Sequence, residues 1–152
     1  LGGGPNSRLG ASLVRDWNLA VTAQAGLAAQ RDGSMFWTLA VVAPGADSVA
    51  LERTLLDTAN GVLQRDLQAF ELERARRQLG ASIGFALQAM RQRGQALGEA
   101  EVLAGDAAKA ADRWASLARV TSGDLRRAAA RVLVDSERAT VWLLPTTQRG
   151  AR

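Results

Sequence analysis

The opening stretch, Leu1 to Ala29, limits what this chain can fold into more than any other: a glycine run, a short helix and then directly a strand. Gly2, Gly3, Gly4 and Pro5 cannot lie inside a regular element, because glycine supplies positive φ and proline withholds a backbone donor. Ser7 stands where its hydroxyl can accept a backbone N–H and cap a helix running to about Trp17. Leu9, Leu13, Val14 and Trp17 recur at helical spacing, so that helix is expected to bury one face. Leu19 to Ala29 is small and apolar with partial alternation, which predicts a strand.

The rest of the chain supplies a partner strand and a set of helices. Arg31-Asp32-Gly33 is turn chemistry and Ser34 to Ala43 is β-branched and aromatic, so the two runs predict an antiparallel hairpin, ended by Pro44-Gly45. Asp47 or Ser48 then caps a helix to about Asp66, with Val49, Leu55, Leu56, Ala59, Val62 and Leu63 inward. A second helix, the longest, starts near Ala69 and carries the stripe Leu72, Leu79, Ile83, Ala86, Leu87 and Met90. Gly80 and Gly84 weaken it by about 1 kcal/mol each relative to alanine. Gly94 and Gly98 are expected to kink or break the chain before Glu99 to Ala104. An Ala-rich helix is expected over about Ala107 to Arg119. Thr121-Ser122-Gly123-Asp124 reads as a capping box opening a further helix, with Leu125, Ala128, Ala129, Val132 and Leu133 inward. Thr140 to Leu144 predicts a last strand, stopped by Pro145, with a loose polar tail over 146–152. With no internal repeat and no linker, 1–145 reads as one domain or part of one.

Composition then narrows the chemistry. At 152 residues and 47% hydrophobic, the chain can bury a single core of ordinary size. Leu1 already lies inside a motif, so the polypeptide is expected to begin upstream of it; the sequence has no initiator Met, no signal peptide and no apolar run long enough to span a bilayer. The absence of cysteine removes disulfides and thiolate metal sites and leaves the redox compartment open. The absence of histidine removes the commonest catalytic base and zinc ligand. Net charge is +4, carried by arginines interspersed with acids, as in Glu71, Glu73, Arg74, Arg76 and Arg77. Mixed signs at this spacing fit solvated, ion-paired helix faces better than a nucleic-acid surface, and no basic segment is interleaved with stacking aromatics. Trp17, Trp37, Trp114 and Trp142 sit in apolar stretches and read as core or interface aromatics.

GGGPNSRL, a helix and LAVTAQA together resemble the glycine-rich loop, helix and strand of the insulinase/pitrilysin zinc metallopeptidases, the family that includes mitochondrial processing peptidase. In that family the pattern lies in the second, non-zinc half of each subunit. Gly3, Gly4, Ser7, Arg8, Leu9, Leu19 and Ala20 fit it, and Thr22 stands for a serine. Glu71 to Leu79 is similar to the family's Glu-Leu-x-x-Ala helix, and Val120-Thr121 followed by Asp124-Leu125 is similar to its C-terminal signature. The resemblance implies an α+β fold: a mixed, largely antiparallel sheet with helices packed on one face. It also implies an incomplete N-terminus, with a sheet edge left for another chain or an N-terminal piece to complete.

The same resemblance sets expectations about function. The family's zinc site is a helix-borne His-x-x-Glu-His in the other half, and this histidine-free chain cannot hold it. Carboxylates alone suit magnesium or calcium better than hydrolytic zinc. A Ser–Lys pair with Lys109 is conceivable, although Lys109 beside Asp106 and Asp112 reads as a solvated charge. Active members contribute an Arg and a Tyr, seven positions apart, that reach the bound peptide. Here the Tyr position is Val21; the Arg position is Val14 without a gap, or Arg15 if one residue is deleted. The two registers differ by about 100 degrees around a helix. Arg15 thus reads either as an ordinary helix-end cation or as a substrate ligand. Ser7 and Arg8 read as a helix start that fixes the loop, or as a loop that touches substrate; a phosphate cradle lacks its Lys-Ser/Thr pair.

The candidate substrate-binding residues are therefore Ser7, Arg8, Arg15, Leu19 and Val21, with no catalytic residue and no metal ligand. The leading expectation is a zinc-less portion of an insulinase-like peptidase or of its inactive partner, an atypical bacterial member included, that forms a chamber wall and grips extended peptide. Zinc would come from the catalytic half or partner subunit; nucleic acid and membrane are not expected partners. A non-enzymatic scaffold of the same fold is the alternative, and an Arg-rich nucleic-acid-binding domain, whose affinity would fall steeply with salt, stands behind it.

Overall fold

The computed structural model describes residues 1–64 and 67–143. Ser7 starts the first helical segment in the manner its sequence predicts: its hydroxyl accepts the Gly10 N–H at 3.1 Å and its carbonyl accepts the Ala11 N–H at 2.8 Å. From Gly10 to Asp16 the chain is wound as a π-helix rather than an α-helix, and the Trp17 N–H reaches back to the Ser12 carbonyl at 3.0 Å. Glycine is required at position 10, since a Cβ there would meet the Pro5 carbonyl oxygen at 2.6 Å. The segment sends Leu9 and Leu13 into the core, both at 0% exposure, and leaves Val14 half-buried. Trp17 departs from expectation: it lies past the last π turn, exposed to solvent. Asn18, at φ 49°, then reverses the chain into the first strand, a left-handed conformation that asparagine tolerates.

β1 (Ala20–Ala28) and β2 (Met35–Val42) form the predicted antiparallel hairpin. Cross-strand partners share a face, so Ala23 with Ala40, Ala25 with Thr38 and Leu27 with Phe36 look inward, and Gln24 with Leu39 and Gly26 with Trp37 look outward. The Trp37 ring lies so close over Gly26 that a Cβ there would sit 2.5 Å from it. Between Ala20 and Thr22 the register slips, and Val21 is the bulged residue.

α1 (Ser48–Gln64) packs on the inner face, with Leu51 joining Leu9, Leu13, Ala20 and Ala23 in the core cluster and Leu55 against it. Asp47 is its cap, the carboxylate accepting the Val49 N–H at 2.9 Å. Val49 itself faces solvent rather than the core; beside the cap in the first turn it points away from the sheet, and Leu51 takes the inward place.

α2 (Ala69–Ala86) is the longest helix, and the Glu71 carboxylate accepts the Gln68 N–H at 3.1 Å at its start. α3 (Met90–Ala104) runs unbroken through Gly94 and Gly98; the interruption falls instead at 87–89. Gly105 ends it at φ +67°, where glycine avoids a steric cost. A 3₁₀ turn (Ala107–Ala110), capped by Asp106, separates it from α4 (Asp112–Arg119). α5 (Ser122–Val132) opens with the predicted capping box: the Asp124 N–H donates to the Thr121 hydroxyl at 3.2 Å and the Thr121 N–H to the Asp124 carboxylate at 2.8 Å. α1 contacts α5, and α2 contacts α4.

Besides the displaced break and the division of the helix expected over Ala107 to Arg119 into a 3₁₀ turn and α4, two larger expectations fail in this second region. The stripe on α2 is not buried: no residue of α2, α3 or α5 is, Leu79 and Leu87 face solvent, and Met90 is 87% exposed. The inner sheet face meets this stripe only across an apolar gap at Leu72, so Leu72, Ile83 and Ala86 are half-buried and the rest stays in solvent. The described part of the predicted last strand, 140–143, forms no ladder, and Val141 and Leu143 are 90% and 96% exposed. A strand exists only against a neighbour, and among the described residues none is in reach. Leu144, Pro145, the tail 146–152, the end of the predicted first long helix at Arg65 and Asp66, and the Trp114 side chain lie outside the described residues. The fold is α+β, with an antiparallel sheet and helices against its inner face.

Candidate functional site

A groove of about 570 Å³ runs beside β1. Its floor is strand, Val21 to Ala25; one wall is the loop residues Gly2, Gly4, Pro5 and Asn6, and the other is Gly10, Val14 and Arg15 of the π-helical segment. The loop closes in at one end, where a Cβ on Gly2 would lie 2.1 Å from the Ala25 nitrogen, a distance only glycine permits. Gly4 holds φ +100°, so the wall is shaped by backbone that other residues would strain.

The bulge turns Val21 out of the ladder, leaving it 59% exposed at this groove. Arg15 stands opposite with an exposed side chain, its Nε 3.0 Å from the Asp16 carboxylate. The sequence left open whether Val14 or Arg15 occupies the arginine position; in the π-wound segment both line the groove. A strand edge with a guanidinium beside it can hold an extended chain by its backbone and meet a carbonyl or carboxylate. The Val21 side chain can neither donate a hydrogen bond nor move a proton.

The other predicted residues lie elsewhere. Leu19 packs against the core, with its N–H on the Leu13 carbonyl at 2.8 Å and its carbonyl accepting from Ala43 at 2.9 Å. Ser7 is buried, its hydroxyl used on Gly10. Arg8 is half-buried behind the loop: Nε and Nη2 each lie 2.9 Å from a Glu71 carboxylate oxygen, a bidentate fork, and Nη1 reaches the Gly61 carbonyl at 3.5 Å. The side-chain hydrogen bond from Arg8 holds the Glu71 carboxyl below the usual carboxylate range, against a smaller opposing effect of burial, and the same bond raises Arg8.

Sequence reasoning missed the partners of the loop. Arg74 donates to the Asn6 carbonyl at 2.7 Å, and Gln78 donates to the Gly3 carbonyl at 3.0 Å. Glu71, Arg74 and Gln78 are spaced i, i+3, i+7 on α2, and that spacing was the available signal: one helix face offers in a row an acceptor for Arg8 and two donors for loop carbonyls.

An apolar cleft of about 670 Å³ also lies between the inner sheet face and the helices, bounded by Leu27, Phe36, Val62, Leu72, Leu125 and Leu133, with Arg8 and Glu71 at its side. It is a gap between layers, and among the other polar side chains on it Ser7, Arg74 and Gln78 are engaged with the backbone of the loop and the helix start. Lys109 donates to the Ala104 carbonyl at 2.9 Å, ending a helix rather than activating a serine. Among the described residues no three acidic side chains cluster to hold a metal, and with no histidine or cysteine in the sequence the donors present do not fit hydrolytic zinc.

No family model and no curated protein matches the chain. Solved structures do. The "putative zinc protease" of Bordetella pertussis Tohama I is 28% identical with a TM-score of 0.81, over 96% of this chain and 80% of that one. The inactive peptidase domain of a "putative zinc protease" from Bordetella parapertussis is 27% identical with a TM-score of 0.84, over 98% and 80%. A protease from Helicobacter pylori shares the fold at a TM-score of 0.81 and 21% identity, over 90% of this chain and 33% of its own. The insulinase/pitrilysin resemblance carried by the motifs is carried by the tertiary structure as well: the chain has the fold of these zinc-protease domains, one of which is an inactive peptidase domain.

Proposed function

We propose that the chain is the zinc-less half of an insulinase-like peptidase, or of its inert partner subunit, and grips extended peptide along β1 while metal-assisted hydrolysis takes place on residues outside it. The observation that carries this reading is the groove itself, with a strand floor, a glycine-lined wall and Arg15 opposite Val21. A peptide laid there adds as a strand, its backbone on β1 and its alternate side chains in the groove. Arg15 offers a cation to a substrate carbonyl. Zinc would be supplied by a catalytic subunit or an N-terminal half, because the donors here do not suit it.

Two features favour the inert role. Val21 cannot stabilise an oxyanion where active members place a tyrosine, and a neighbour at 27% identity is itself named an inactive peptidase domain. The chain with its catalytic partner, zinc and a long unstructured peptide should cleave, and the chain alone should bind without cleaving. N-methylation of alternate peptide nitrogens should abolish binding. Cleavage by the chain alone overturns the reading, and undiminished binding of the N-methylated peptide overturns strand addition. Assembly with the partner but no peptide binding would leave the second reading, a scaffold of the same fold.

A further inference from the structure

The wall of the groove is a loop with almost no stiffness of its own. Gly2, Gly3 and Gly4 give it more backbone freedom than any other residues could; within it lie two turns, Gly4 N–H to Gly2 O at 3.1 Å and Ser7 N–H to Gly4 O at 3.0 Å, and its ends are joined by the Leu9 N–H on the Leu1 carbonyl at 3.1 Å. What crosses to it comes from α2. Arg74 binds the Asn6 carbonyl, Gln78 binds the Gly3 carbonyl, and Glu71 takes the guanidinium of Arg8 just beyond the loop. Two of these three contacts fall on loop backbone, so they set where the chain runs and not merely which side chains neighbour it.

We propose that this face of α2, Glu71 with Arg74 and Gln78, is a positioning device that holds the glycine-rich loop off β1 along Val21 to Gln24, where the groove admits an extended peptide, up to Ala25, where Gly2 closes it. The inference rests on the peptide-binding reading above. The opposite side of the same loop is the groove wall, at Gly2, Gly4 and Asn6. A paired strand needs a slot about 4.8 Å from its neighbour, so an ångström of loop drift either closes the slot or leaves the backbone bonds too long. Holding the loop beforehand lowers the ordering cost of binding. None of the three α2 residues lines the groove, so their influence passes through the loop alone.

The test uses the whole chain and a fluorescein-labelled, unstructured Ala/Leu/Ser peptide read by anisotropy, with amide exchange at Gly4 and Ser7 and urea midpoints measured in parallel. Arg74→Ala with Gln78→Ala changes exposed side chains to a strong helix former and should leave the urea midpoint unchanged. Gly4 and Ser7 should exchange faster, and the peptide should bind roughly fivefold more weakly. Lysine at position 74 (Arg74→Lys, with Gln78 intact) should restore most of the affinity, which a loss of general stability would not allow. Glu71→Gln should weaken binding in the same direction, with a lower urea midpoint. Unchanged exchange in the double variant overturns the device, and so does faster exchange with unchanged affinity. A parent chain that does not bind the peptide overturns the peptide reading alone, and the exchange of Gly4 and Ser7 then decides whether α2 holds the loop.

Discussion

The two regions of this molecule are built to different standards. Loop, π-helical segment, hairpin and α1 contain every buried hydrophobic residue of the described chain: Leu9, Leu13, Ala20, Ala23, Leu51 and Ala59. α2, α3 and α5 are as regular in backbone, though α3 starts without a side-chain cap, yet none of them holds a fully buried residue, and Phe70, Phe85 and Met90 stand in solvent. Secondary structure and burial are therefore separable. A helix is wound by its own caps and propensities, whereas a core needs two surfaces that face each other. The first region has both surfaces, and the second offers one.

That contrast can be broken at its strongest point first. Leu13→Ala removes a fully buried side chain and should cost about 3–5 kcal/mol in urea unfolding. A loss under about 1 kcal/mol would mean the first region is as loosely packed as the second. Next comes the tie between the regions. Glu71→Gln breaks the half-buried fork to Arg8 and should cost about 2 kcal/mol at neutral pH. Because the folded carboxyl is held below its unfolded value, the stabilisation is complete above the unfolded value of about 4.3 and is lost as pH falls through the lower folded one. Parent and variant should therefore converge in acid; a gap that persists there would show the charge pair is not its source.

Smaller effects sharpen the second region. Thr121→Ala removes the cap of α5 and should cost about 1 kcal/mol, read in the same unfolding assay. An effect near zero would mean that α5 is wound by packing rather than by its cap. Phe85→Ala should change stability by less than about 0.5 kcal/mol, since the ring is exposed. A loss comparable to that of Leu13→Ala would show that something covers α2 in solution.

Legibility followed the same division. Ser7, Asp47, Thr121 and Asp124 were readable as caps because a cap is decided by residues within one turn. The hairpin was readable because Arg31-Asp32-Gly33 sits between two β-prone runs. The π winding was not, since the spacing of Leu9, Leu13 and Val14 is equally that of an α-helix; within it Val14 and Arg15 both line the groove. Nor was the bulge at Val21, which belongs to the pairing of two strands and to neither alone. The stripe of α2 was read correctly as apolar and wrongly as buried, because periodicity reports which residues share a face but not whether another element lies against it.

From the chain of amino acids alone came the types of element and their caps, the resemblance carried by the glycine loop, and the absence of any histidine or tyrosine for catalysis. These depend on local sterics and on inventory, which need no third dimension. Only the tertiary structure decided that Arg15 and Val21 share a groove, that Arg8 is turned away from it to Glu71, and that α2 supplies the donors for the loop. Those facts join residues up to 75 positions apart, and the contact between them is made by packing, which leaves no trace in the spacing of either partner.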